Sequence, residues 1–284
     1  MNIPPILRLF SELIPCLVLG YWIGSRQPGL SSSIARPLIN FGVPISLMGL
    51  LLKTGIEWRL LQAAAMAVLA ICLLLLSLSL LPKLRGLIST PTLRLGSAIG
   101  NTAYFGIPVA LALLPSETLS ISIGYDLGTT LLAWSLGPAL MAGSFESGQQ
   151  RTFGDLVKTL FSSPATKGLC GALLVQLTPW SDSIAMFLWV PSRILIVLAL
   201  LVVGMRLGYL GSSENSNFRS LANKITPSLL IKLLVLPALM LVLCLLFNLP
   251  DMTRRALVLQ AAAPTAVSLL LMAEASGKDQ ETAT

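Results

Sequence analysis

The sequence predicts an all-α membrane protein of about nine transmembrane helices. They are arranged in two inverted five-helix-type repeats, with broken helices 4 and 9 crossing at the midplane. Three observations carry this expectation. The 284 residues are 55% hydrophobic and 11% charged, with mean hydropathy +0.83, whereas a soluble domain holds about 25% charged residues. Apolar runs of membrane-crossing length recur along the whole chain. Two of them are interrupted, at Gly100-Asn101-Thr102-Ala103-Tyr104-Phe105-Gly106-Ile107-Pro108 and at Ala261-Ala262-Ala263-Pro264-Thr265-Ala266.

A span takes about 20 mostly apolar residues. Candidates lie near 6–24, 34–52, 62–81, 94–114, 120–143, 163–180, 184–206, 227–249 and 254–274. Breakers separate them, among them Gln27-Pro28-Gly29, Pro82-Lys83, Pro115-Ser116 and Gly211-Ser212-Ser213. Asp155 to Ser162 reads as a short interfacial helix, because Leu156, Leu160 and Phe161 share a face. Glu12 interrupts the first apolar run and no small-x-small site precedes Arg26, so this span is read as retained instead of cleaved.

The basic residues set the orientation. Arg8, Lys53, Arg59, Arg254 and Arg255 fall on the side of the N-terminus. Twelve others, from Arg26 and Arg36 through Lys83, Arg85 and Arg151 to Lys278, fall on the opposite side. The richer side belongs in the cytoplasm, which places the N-terminus outside in a multi-pass protein of the plasma (inner) membrane. The net charge of +7 is thereby a matter of topology, not of nucleic-acid binding.

Prolines echo between the halves. Pro37 and Pro191 are 154 positions apart, and Pro108 and Pro264 are 156 apart. A five-span unit is odd, so a second copy inserts upside down. The expected organisation is a first repeat over 1–143, a short cytoplasmic linker over 144–162 and a second repeat over 163–284.

Proline removes a helix hydrogen bond and clashes with the carbonyl four residues earlier. In lipid, freed backbone groups are tolerated only where protein or a water-filled cavity receives them. If the two interrupted helices cross, each contributes a half-helix beginning at its proline, with unpaired N–H groups and roughly half a positive charge. Such a pocket suits a small organic anion such as a carboxylate. Pro108 and Pro264 mark the two breaks. Asn101, Thr102 and Tyr104 on one side, with Gln260, Thr265 and Ser268 on the other, are the candidate substrate-binding residues. The bland alternative is a pair of kinks that only shape packing.

Ionisable residues within spans are functional candidates by default. Asp126, inside the fifth span, is the candidate for ion coupling as a proton carrier or cation ligand; otherwise it braces the broken helix. Glu12 pairs with Arg8 at i, i+4. Arg193 either joins a buried ion pair or snorkels, Lys232 snorkels to the cytoplasmic face, and Glu274 is interfacial. The four cysteines form no paired motif and the chain has no histidine, so no metal site, cofactor or catalytic function is expected. A P-loop pattern is absent as well.

The segment Gly100-Asn101-Thr102-Ala103-Tyr104-Phe105-Gly106-Ile107-Pro108-Val109 resembles the fourth-helix signature of the auxin efflux carrier family of permeases. Ala263-Pro264-Thr265-Ala266-Val267, followed by Ala273-Glu274-Ala275-Ser276-Gly277-Lys278-Asp279, is similar to its ninth-helix signature. Tyr125-Asp126 with Trp134-Ser135-Leu136-Gly137 fits the fifth helix. The likeness covers nearly the whole chain. It implies ten helices in two inverted repeats and a scaffold of helices 1, 2, 6 and 7. It also implies a moving crossover domain and elevator-like export of small organic anions, commonly as a dimer. Two departures stand out. Ser268 occupies a place where the family often has asparagine, and the chain ends at Thr284, where a tenth helix would follow. The short 144–162 segment suits bacterial-type members. The leading expectation is a secondary active anion exporter with proton or sodium coupling. The alternatives are a sodium-coupled organic anion symporter and a non-transporting membrane subunit or sensor.

Overall fold

The computed structural model describes residues 5–27, 29–88, 90–141, 154, 158, 161, 164–212, 218–266 and 268–269. Every regular element among them is helical. The first span forms α1 (Pro5–Arg26). The second is assembled from α2 (Leu30–Pro37), a π-helical turn (Leu38–Gly42) and α3 (Val43–Thr54). The third, α4 (Trp58–Leu80), is continuous, and a short α5 (Pro82–Leu87) occupies what the sequence presents as a connector.

The fourth span is split into α6 (Pro91–Ala98), a π-helical turn (Thr102–Gly106) and α7 (Ile107–Leu113). The fifth is α8 (Leu119–Met141). There follow α9 (Pro164–Gln176) and the long α10 (Ser181–Ser212). Then come α11 (Phe218–Leu230), a third π-helical turn (Ile231–Val235), α12 (Leu236–Leu246) and α13 (Asp251–Ala261).

Four helices among the described residues are long and apolar enough to cross a membrane: Ser33–Thr54, Trp58–Leu80, Ser181–Tyr209 and Ala222–Leu246. The expected sixth span stops short, because Pro179 drives Thr178 out of the helical region and the chain turns there through Thr178 N–H to the Val175 carbonyl. The interfacial helix expected over 155–162 and the linker over 144–162 lie outside the described residues except at isolated positions. Glu274 and the side chains of Arg8 and Glu12 lie outside them too.

The three π-helical turns share one cause. Each is followed at once by a helix with proline in its second position: Pro44, Pro108 and Pro237. In an α-helix the proline ring collides with the carbonyl four residues back. One extra residue in the turn moves that carbonyl away. The preceding amide then bonds five residues back, as Val43 to Leu38, Ile107 to Thr102 and Leu236 to Ile231. Such insertions are often found at functional sites.

Packing divides the helices into two groups. In one, α10 packs along α1 and α3, and α9 packs on α3. A Cβ at Gly20, Gly24, Gly204 or Gly208 would run into the backbone of the facing helix, so glycine sets the α1–α10 separation. Close backbone approach of this kind is how helices associate in lipid, where apolar burial gives no drive. In the other group α4 packs along α8 and α12, and α13 packs on α12 and α8. Here Gly124 and Gly128 lie against the Leu60 and Ala64 carbonyls. The largest apolar cluster, including Ile71, Leu95, Leu236 and Leu257, fills this second group.

Candidate functional site

The two interruptions meet. α6 ends at Ala98, Ile99 is extended, and Gly100 and Asn101 run non-helical before the helix resumes at Thr102. α13 ends at Ala261, and Ala263 to Ala266 run non-helical. Gly100 and Thr265 form an antiparallel bridge. Asn101 N–H donates to the Pro264 carbonyl at 2.6 Å, and Ala266 N–H donates to the Ile99 carbonyl at 3.2 Å. Buried backbone groups must find partners, and each broken segment supplies the other's. Pro264 suits its place, since it contributes only a carbonyl there. Thr265 Oγ1 adds a bond to the Gly96 carbonyl at 3.1 Å.

This geometry corrects the expectation that each half-helix begins at its proline. The break precedes Pro108 by seven residues or more. Pro108 sits inside α7, where the π-helical turn accommodates it, while Pro264 lies in the extended segment itself. The proline echo is not geometric either: Pro37 closes α2, whereas α10 runs unbroken through Pro191.

The resumed helix opens with Asn101, whose carbonyl accepts from both Phe105 and Gly106 N–H. Its side chain does not cap the helix it opens. Thr102 Oγ1 donates to Asp126 Oδ1 at 2.5 Å, and Thr130 Oγ1 reaches the same atom at 3.5 Å. The Ala103 backbone amide also interacts with this carboxyl. Asp126 is 5% exposed. A carboxylate beside a helix N-terminus is favoured by the dipole and by the orphan amides there.

Lys232 stands at the opposite pole. The expectation that it snorkels is wrong: it is 1% exposed, and its Nζ donates to the Ala261 carbonyl at 2.6 Å. The π-helical turn at Ile231–Val235 places it against the last turn of α13 and beside Gly100. A cation at a helix C-terminus complements the carbonyl end. Asp126 and Lys232 thus each face a helix end of opposite sign. Arg193 is exposed, with its guanidinium 5.8 Å from the Trp189 ring, which fits snorkelling.

A cavity of 60 Å³, room for a few water molecules, opens between the two helix groups. One wall is Ala35, Leu38 and Val43 with Ala199 and Val202 of α10. The other is Gly100, Asn101, Thr102, Ala103, Ala266 and Ser268, and α8 adds Asp126, Thr130 and Trp134. Of the residues expected at the site, Asn101, Thr102, Ser268 and Asp126 line this cavity. Thr265 and Pro264 form its backing, and Pro108 is buried in α7. Gln260 is 0% exposed and lies against Gly106, outside the cavity. The side chain of Tyr104 lies outside the described residues. Lys232, Thr130 and Trp134 were not predicted as site residues. The π-turn spacing from Pro237 was the available signal for Lys232.

Two broken helices bonded back to back stand beside a mostly apolar cavity that carries a few polar groups. The bundle has helices long and apolar enough to cross a membrane, an arrangement that suits membrane transport. Residues 12–284 match the family described as membrane transport protein. The chain belongs to this auxin efflux carrier family. No curated protein matches the chain.

Proposed function

We propose that this protein is a secondary active transporter that exports a small organic anion across the plasma membrane by elevator-type alternating access. The observation that carries the reading is the reciprocal bonding of Ile99–Asn101 with Pro264–Ala266 on one wall of the cavity. In this reading the two repeats are inverted, their broken helices cross near the midplane, the N-terminus lies outside and the chain holds nine spans. The anion enters the cavity against the N-terminal turn at Thr102. Asn101 and Ser268 orient it, and Asp126 carries the coupling ion, a proton or sodium. The α1, α3, α9 and α10 group is the static scaffold, assembled as a homodimer. The α4, α8, α12 and α13 group moves with the site, passing through states wider than a 60 Å³ cavity.

The test is uptake of radiolabelled carboxylates into proteoliposomes. Flux above protein-free vesicles, collapsing in Asn101→Ala, is the expected result. No flux for any carboxylate class in folded protein would overturn the reading.

A further inference from the structure

Lys53 and Arg193 converge on one aromatic ring. Lys53 lies in the last turn of α3, and its Nζ is 5.9 Å from the centre of the Trp189 ring. Arg193 follows Trp189 by one turn of α10, and its guanidinium is 5.8 Å from the same ring. Helical side chains lean toward the N-terminus of their helix, which carries the Arg193 head back to the level of Trp189. Both cations are exposed. The helices that bear them are held in register. Ser192 Oγ donates to the Ile45 carbonyl at 3.4 Å, and a Cβ at Gly49 would overlap Ser192 Oγ and press on the Leu188 carbonyl. Lys53 stands one turn beyond Gly49, so this close approach of backbones brings it beside Trp189.

The place is an expensive one for charge. Arg193 lies within the apolar helix Ser181–Tyr209, about 18 Å from its start at 1.5 Å per residue. Met186, Val190 and Val197 share its face at helical spacing, and all three are exposed. An arginine in such a stripe calls for a partner. Among the described residues neither cation forms an ion pair; the pairs found join Asp251 to Arg254 and Arg255. Glu57 and Asp182, the carboxylates nearest to the two cations in sequence, are exposed and bridge to neither. The Trp189 ring attracts cations weakly at this distance and supplies no counter-charge. The partner therefore comes from outside the chain. It carries negative charge at the level of Lys53 and has an apolar body to lie on the Met186–Val197 stripe. A phospholipid of net negative charge has both. A soluble anion lacks the apolar body, and a zwitterionic lipid brings its own ammonium toward the two cations.

We propose that Lys53, Trp189 and Arg193 form a binding site for the head group of an anionic phospholipid, with an acyl chain along Met186, Val190 and Val197. The guanidinium fork takes phosphate oxygens in pairs, and the lysine adds a mobile point charge. Basic pockets between membrane helices bind anionic head groups in this way. Trp189 sits among the head groups, as interfacial aromatic rings do. The site stands on α3 and α10 and does not depend on the carrier reading. A lipid held there fixes the depth of this helix group in the bilayer.

The test is native mass spectrometry of the purified full chain, titrated with phosphatidylglycerol or with phosphatidylcholine of the same acyl chains. Wild type retains phosphatidylglycerol about tenfold more tightly, equal to roughly 1.4 kcal/mol. Arg193→Gln and Lys53→Gln each remove most of that preference. Arg85→Gln, which deletes an exposed cation on α5, leaves it unchanged. All three side chains are exposed, so the fold is kept, checked by an unchanged elution volume and melting profile in lipid-free detergent. Lys53→Gln and Arg193→Gln each test the site alone should the other not fold. Equal retention of the two lipids by wild type overturns the proposal. So does a preference that falls alike in all three variants, the mark of general surface charge, or one that survives in the Lys53→Gln, Arg193→Gln double variant. Loss of self-association in Arg193→Gln with lipid retention intact assigns the cations to an interface between copies and overturns it as well.

Discussion

Asn101 and Lys232 are close together where the two broken segments meet, Lys232 lying beside Gly100, and have opposite expected phenotypes. Asn101 lines the cavity and its side chain is not spent on capping. A hydrogen bond to a charged ligand contributes about 1.5–3 kcal/mol. Asn101→Ala is therefore expected to weaken apparent anion affinity by roughly 10- to 100-fold, with thermal stability unchanged; a competition series in proteoliposomes measures it. Lys232 is held fully buried by one hydrogen bond to a carbonyl. Such a charge rarely repays its desolvation, and apolar replacement of similar volume is often neutral or stabilising. Lys232→Met is expected to leave the melting temperature equal or higher and to reduce flux. A loss of about 1 kcal/mol of stability with full flux would make it a structural residue instead. The place of Asp126 and Asn101 on the cavity wall was legible in the sequence, because an aspartate in an apolar run and an asparagine in a break both need a polar surrounding. Lys232 was not: a lysine near a span end normally snorkels, and only the added residue of the Ile231–Val235 turn rotates it inward.

At the scale of elements, the break and the proline are separate devices. Pro108 forces the π-helical turn, and that turn brings Gly106 beside Gln260. The sequence shows that helix 4 is interrupted, but not that the extended residues precede the proline. Local propensity places the weakness at the ring, whereas the hydrogen bonds available from Pro264 and Ala266 place it at Ile99–Asn101. The same limit applies to Pro191, which α10 absorbs without a break. The contact at Gly106 gives a direct check. A methyl group there overlaps the Gln260 carboxamide, and overpacking of this kind costs about 1–3 kcal/mol. Gly106→Ala is expected to lower thermal stability by that amount. Gly106→Ala combined with Gln260→Ala should recover most of the loss, as contacting residues couple in double-mutant cycles. Additive losses would mean that the strain lies elsewhere on the turn.

For the whole molecule, hydropathy makes the all-helical membrane class readable, because that depends on composition along the chain, and the basic-residue bias yields an expected orientation. Which helices share a group depends on glycine-lined backbone contacts such as Gly20 against Gly204, and apolar periodicity says little about those in lipid. The orientation is checked with a membrane-impermeant maleimide in a cysteine-free background. Glu57→Cys, exposed ahead of α4, is expected to react in intact cells, and Arg85→Cys, exposed in α5, only after permeabilisation; the reverse pattern would invert the topology.

The elevator is tested across the cavity, where the two groups face each other. Val202 belongs to the α10 wall and Ala103 to the crossover wall. In a background lacking Cys16, Cys72, Cys170 and Cys244, cysteines at both positions are bridged by a short bifunctional thiol reagent. If one group slides past the other during each cycle, the bridge pins them. Flux should then fall to the level of protein-free vesicles and return when a cleavable bridge is cut, while either single cysteine treated alike keeps its flux. Sustained transport through a quantitatively cross-linked cavity would mean that the walls do not move relative to one another.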